Sequence, residues 1–177
     1  MTKAPGGGVE FIAVPNTLRN KVKITADGVD ENILAKAEKI IVDMKDDYLT
    51  WAEDDITRLQ KAAAELKEVG AADPASVSSE VVAKTFHNIY EISHDMRGQG
   101  GSFGYPLMTA VCDRMCNFLE KVMDSPKLTQ MPVLSVCIDT MSLIISQRLD
   151  GDGGVMGNNL LRALDAAIAK TSRGLAL

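Results

Sequence analysis

The residue types best suited to chemistry lie together in Ile92-Ser93-His94-Asp95-Met96-Arg97-Gly98, followed by a glycine-rich run to Gly104. Histidine is the side chain whose unperturbed pKa lies near neutrality, so a large neutral fraction carries a free nitrogen lone pair. Arg97, one helical turn later, offers planar N–H donors suited to an oxyanion and keeps its charge when partly desolvated. The glycines remove bulk beside the imidazole, so another macromolecule can approach it. A nucleophile, an anion clamp and open access point together to phosphoryl chemistry.

These residues need a rigid element beneath them, and the surrounding pattern supplies one. Val82, Phe86, Ile89, Ser93 and Met96 step by four, three, four and three, which predicts a helix with a core stripe. Lys84, His87 and Glu91 fall on its opposite side. At roughly 100° per residue, His94 lies about 120° from the centre of the apolar stripe. Its surface neighbours are Tyr90, Arg97, Gly98 and Gly101, so the imidazole belongs to an exposed flank.

The same periodicity recurs on both sides of this helix. From Glu31 to about Val69, apolar residues at Ile33, Ala37, Ile40, Met44, Tyr48, Ala52, Ile56, Leu59, Ala63 and Leu66 predict one unbroken amphipathic helix, with a break near Thr50 as the alternative. Pro106 suits the first turn of another helix that carries Met108, Val111, Cys112, Met115, Leu119 and Val122 inward. Pro132 opens a more uniformly apolar helix through Leu149, and Val155 to about Thr171 makes a last one with Leu160, Leu161, Leu164 and Ile168 on one side. Short connections between such segments predict an all-α fold, an antiparallel four-helix bundle with an additional C-terminal helix. Residues 1–30 read as a flexible or irregular N-terminal extension, with Asp27-Gly28 and Asp30 supplying turn and N-cap chemistry, and 31–177 as the bundle domain.

Composition is consistent with one domain that has a real core. The chain has 177 residues, 46% of them hydrophobic but only 5% aromatic, so Leu, Ile, Val, Ala and Met must build the interior. A net charge of −5 argues against non-specific nucleic-acid binding, which needs a basic footprint. Cys112, Cys116 and Cys137 are an odd number in apolar contexts, which reads as reduced thiols in a cytoplasmic protein. Cys112-x-x-x-Cys116 has no second ligand pair at finger spacing. No signal peptide and no apolar run of membrane-spanning length is read in the chain, so a soluble protein with no membrane partner is expected.

His94, Arg97, Gly98 and Gly104 match a family pattern: His, a basic residue three later, Gly four later and Gly ten later. On these residues the chain resembles the histidine phosphotransfer (HPt) domain family, over about Glu31 to Leu149. The resemblance implies a four-helix bundle in which His94 is the phosphoacceptor and Arg97 stabilises the phosphoryl group. It implies that Gly98 and Gly101 leave space for a partner, that Gly104 lets neighbouring helices approach, and that Gln99 counts with them among the binding and access positions. The implied partners are receiver domains of response regulators or hybrid histidine kinases in a multistep two-component phosphorelay. The chain would then be a stoichiometric phosphoryl carrier and not an enzyme in its own right, monomeric, with no cofactor of its own; the Mg2+ ion would belong to the receiver.

The chain departs from the usual pattern at three positions. Arg97 stands where lysine is commoner, Gln99 replaces a frequent small hydroxyl residue, and Asp95 puts a carboxylate next to the histidine, with its side chain expected to point about 100° away from His94.

Two rival readings follow from the same residues. Ser93-His94-Asp95-Met96-Arg97 also looks like the H-box of a histidine-kinase dimerisation segment, which would make a dimeric phosphotransferase. That motif carries proline two residues after the arginine, where Gln99 stands, and the chain after Leu149 is too short for an ATP-binding domain. The other rival is a helical adaptor that binds without any phosphorylation. The run Gly98 to Gly104 is no dinucleotide fingerprint, because Phe103 stands at the third glycine position and no strand precedes it. Asp150-Gly151-Asp152-Gly153-Gly154 lacks the third acidic ligand and closing glutamate of a calcium loop and reads as a turn between helices.

Overall fold

The computed structural model describes residues 24–25, 28–72 and 77–175. The chain divides into two units, one ending at Ile40 and the other beginning at Ile41.

Most of the extension assigned to residues 1–30 lies outside the described residues. What is described of it has regular structure: β1 (Ile24–Thr25) pairs antiparallel with β2 (Gly28–Val29), Ile24 opposite Val29 and Thr25 opposite Gly28. Asp30 then caps α1 (Glu31–Asp43), its Oδ1 accepting from the Asn32 backbone N–H at 2.9 Å.

The long helix expected from Glu31 to Val69 is two helices, and the break is at Met44 and not near Thr50. The second piece, α2, runs Lys45–Ala72. Periodicity does not register this break, because Ile40, Met44 and Tyr48 keep a spacing of four across it. Local charge marks it instead: Asp47 falls in the first turn of α2, where the helix dipole favours a carboxylate. The two pieces also differ in burial. No residue of α1 is buried, so Ile33 and Ile40, expected to face inward, are exposed, whereas Tyr48, Ala52, Ile56, Leu59, Ala63 and Leu66 of α2 are all in the core.

The remaining helices follow the sequence closely. They are α3 (Ser79–Gly100), α4 (Pro106–Val122), α5 (Met131–Ser146) and α6 (Gly154–Leu175), with a short 3-10 turn at Leu128–Gln130 before α5. Ser78 caps α3, its Oγ accepting from the Val81 N–H at 3.3 Å. Helix α2 packs on α3 and α5, and α4 packs on α3 and α5, which closes a four-helix ring. Short connections within the ring make the successive helices α2 to α5 antiparallel. Helix α6 lies against α4 and α5, held by a two-pronged ion pair: Arg114 Nε donates to Asp165 Oδ1 at 2.7 Å and Nη2 to Oδ2 at 3.2 Å.

The core is one contiguous cluster drawn from α2 to α6, and Val82, Phe86, Ile89 and Met96 of the α3 stripe belong to it, with Ser93 buried among them. Ser93 brings a hydroxyl into that apolar stripe and satisfies it locally, donating to the Ile89 carbonyl at 2.6 Å. Leu128–Ser146 is long and apolar enough to cross a membrane by length and composition, contrary to the sequence reading. More than half of it is buried inside the bundle, where α5 closes the core.

Cys112, Cys116 and Cys137 are free thiols inside this core. Burial pushes all three up, Cys116 to about 11 and Cys137 to about 12. In the unfolded chain they ionise near pH 8.5, so above that pH the unfolded state binds fewer protons and stability falls as pH rises. All three should resist iodoacetamide at pH 8 in the native protein and react together in denaturant, as mass spectrometry would read. Truncation of Phe86, which has no exposed surface, to Ala should cost about 3–5 kcal/mol in denaturant unfolding, while exposed Val81→Ala should stay within about 0.5 kcal/mol.

Candidate functional site

Because Ser93 and Met96 are buried, the residue between them on the outer flank of α3 must face outward. The His94 side chain is 50% exposed. Its ring leans on Tyr90 one turn earlier, with centroids 5.9 Å apart. The Tyr90 hydroxyl donates to Glu120 Oε1 on α4 at 3.0 Å, and that hydrogen bond to a carboxylate raises the phenol above its ordinary pKa. Asp95 does not point away from His94 as expected: its Oδ1 stands 3.9 Å from His94 Nδ1. Neighbouring Cα–Cβ vectors diverge by about 100°, but both side chains are exposed and lean toward each other. His87 lies further back on α3, exposed, with Nε2 3.4 Å from Glu91 Oε1.

His94 opens onto a shallow polar groove of about 410 Å³ between α2 and α3. Asp55 and Arg58 line it from α2, and Asn88, Tyr90, Glu91, Ile92, Asp95 and Gln99 join His94 from α3. The predicted neighbour Gln99 is thus present at the site. Arg97 is not among the lining residues; it turns toward α4, with Nη1 3.4 Å from Asp113 Oδ1. Asp113 is shared, its Oδ2 accepting from Asn117 Nδ2 at 3.0 Å. A 3.4 Å contact is long for a charge-assisted hydrogen bond and half-exposed pairs contribute little, so Arg97 is held only loosely.

The glycines divide into distinct roles. A Cβ on Gly98 would meet nothing within 4 Å, one on Gly101 only Thr109 Oγ1 at 3.7 Å. Both leave open surface next to His94. Gly104 does not serve helix approach: a Cβ there would come no closer than 3.7 Å, to the Lys45 ammonium, and its distinguishing feature is φ +84. That left-handed turn carries the chain from α3 into α4. The close approach is made at Gly100, where a Cβ would lie 2.8 Å from Thr109 Oγ1 and 3.0 Å from the Tyr105 carbonyl. Gly100 was discoverable in the sequence, since it continues the stripe four residues beyond Met96. Arg58 and Asp55 carried no such signal, because their only link to His94 is the packing of α2 on α3.

Phe103, within the glycine-rich run, stacks on Tyr48 of α2 with ring centroids 5.0 Å apart, while Trp51 meets it edge-on at 6.1 Å. These contacts pin the α3–α4 turn to α2. At the same end of the bundle, Gly151 N donates to the Gly104 carbonyl at 2.8 Å and Leu107 N to the Gly151 carbonyl at 3.2 Å. The Asp150–Gly154 segment is accordingly a turn between helices, as its composition indicated.

No protein-family model, curated protein or solved structure matches the chain.

Gly98→Ala should keep or raise thermal stability, by up to about 1 kcal/mol, because alanine is the better helix former and the space is open. Gly100→Ala should destabilise by about 1–3 kcal/mol through overpacking against α4 backbone. Thermal unfolding of the two variants side by side checks the division of roles.

Proposed function

We propose that this protein is a histidine phosphotransfer protein: His94 accepts a phosphoryl group from a receiver-domain aspartate and passes it to another. The observation that carries this reading is a half-exposed imidazole on the flank of a bundle helix, bordered one turn later by a residue position with no neighbour above it. The resemblance at His94, Arg97, Gly98 and Gly104 gives the same reading from sequence.

The chemistry follows from the groups present. Attack is through the Nε2 lone pair, in the tautomer that carries its proton on Nδ1; Nδ1 is the ring nitrogen on the Asp95 side, 3.9 Å from Oδ1. Nε2 forms a bond to phosphorus as the bond from phosphorus to the receiver's carboxylate oxygen breaks, and the receiver aspartate leaves as a carboxylate. The product is a phosphoimidazole that keeps its Nδ1 proton, so charge and atoms balance. The reverse step delivers the phosphoryl group to the next receiver. Such a transition state spreads charge over equatorial phosphoryl oxygens and is served chiefly by positioning and electrostatics. Arg97 lies one turn from His94 in a weak pair with Asp113. Exchanging that carboxylate for phosphoryl oxygens lets it act as the stabilising cation. Gly98 and Gly101 leave the receiver room to dock. The magnesium ion in this scheme is the receiver's.

His94→Gln should fold like the parent and take up no label from phosphorylated receivers, and the parent's label should be acid-labile, alkali-stable and map to His94. Label on the Gln variant, or label mapped to His87, overturns the assignment. Arg97→Ala should slow transfer by tenfold or more, the loss of roughly one charge-assisted hydrogen bond of about 1.5–3 kcal/mol, and Arg97→Lys should restore much of it. Stopped transfer reactions separated by gel electrophoresis give both rates.

A further inference from the structure

The groove that holds His94 contains a permanent cation, and it is not the one that the motif supplies. Arg58 of α2 lines the groove with His94, whereas Arg97 faces Asp113 on the other side of α3. Arg58 is anchored by Asp55 one turn earlier, Nη1 to Oδ1 at 2.7 Å. Asp55 is only 20% exposed, so its carboxylate is fixed by the bundle, while Arg58 is 63% exposed and reaches outward from that anchor. One of the five guanidinium N–H donors is taken by Asp55, and the fork geometry leaves others directed away from it. The rest of the groove is unfavourable to an anion: Asp55, Glu91 and Asp95 put three carboxylates around one imidazole. A dianionic phosphoryl group at His94 therefore needs a fixed positive charge on the groove side, and Arg58 is the guanidinium available there.

We propose that Arg58, oriented by Asp55, is a second phosphoryl-binding residue of the His94 site and contacts the phosphoryl oxygens from the α2 side while Arg97 contacts them from the α4 side. This rests on His94 being the phosphoacceptor. Arg58 touches the transferred group, and Asp55 acts through it as a positioning residue. In a groove this acidic the cation offsets the repulsion of Asp95 and Glu91 toward an arriving phosphoryl donor. Its effect therefore weakens as salt screens those charges.

The test uses phosphoramidate, a small anionic donor that needs no receiver. The imidazole nitrogen forms its new bond to phosphorus as the phosphorus–nitrogen bond of the donor, whose nitrogen is already protonated as –NH3+, breaks and neutral ammonia leaves. His87 is exposed, lies outside the groove and serves as an internal reference. The quantity measured is the initial labelling rate of His94 relative to His87, by peptide mapping at low ionic strength. Arg58→Ala should lower this ratio at least threefold, Arg58→Lys should recover part of it, and Asp55→Asn should fall between parent and Ala. The loss in the Ala variant should shrink in 0.5 M salt. Circular dichroism and thermal unfolding of Arg58→Ala should match the parent, since the side chain is exposed.

A ratio that is unchanged in Arg58→Ala overturns the proposal, even if receivers still phosphorylate His94. A ratio that falls equally in the Ala and Lys variants at both salt concentrations also overturns it, because charge is then not the cause. If the ratio responds as expected but no receiver labels His94, the Arg58 contact stands and the relay reading fails.

Discussion

Helices α3 and α4 cross where the bare Cα of Gly100 faces Thr109, and the placement of the site depends on that approach. With no side chain at Gly100, the Tyr105 carbonyl and Thr109 hydroxyl come against the α3 backbone. Thr109 Oγ1 then donates to the Arg97 carbonyl at 3.0 Å, satisfying a group that the end of α3 leaves without an intrahelical partner. This close contact brings Asp113, one turn along α4, under the Arg97 guanidinium. A wider crossing would leave Arg97 without a rest position and α3 with a frayed last turn. His94 sits two turns before the crossing, far enough to remain open and near enough to be held by it.

The second determinant is the difference between the two flanks of α3. Its core side is dry and polar groups there are satisfied within the helix, as Ser93 does through Ile89. Its solvent side carries loose pairs within the helix, His87 with Glu91 and His94 with Asp95, and its α4-facing side carries the equally loose pair of Arg97 with Asp113 across the helix contact. Exposed pairs of this kind add little to stability. What they do is hold charged groups near one another without locking them, which suits a site whose occupant arrives and leaves.

Much of this was legible in the residues. The core stripe of α3, the exposed setting of His94, the start of α4 at Pro106 and the apolar face of α4 all follow from spacing, because burial imposes its period on the chain. The Met44 break was not legible, since the apolar spacing of four continues through it and α1 carries that pattern without burying it. The close-approach role was placed at Gly104 instead of Gly100 for a related reason: composition marks the two glycines alike, and only the backbone tells a left-handed turn from a helix crossing. Arg58 was out of reach because it joins His94 only when α2 and α3 pack. Such a contact leaves no trace in the order of residues along either helix.

The amide of Gly151 bonded to the carbonyl of Gly104 has a consequence for how such a chain can vary. Two turns far apart in sequence share one pair of backbone groups, so neither can lengthen or shift alone without breaking the other's closure. Insertions tolerated by most surface turns are therefore disfavoured at both of these. The loops should drift in step, and diversity in partner choice would have to accumulate on the helix faces instead.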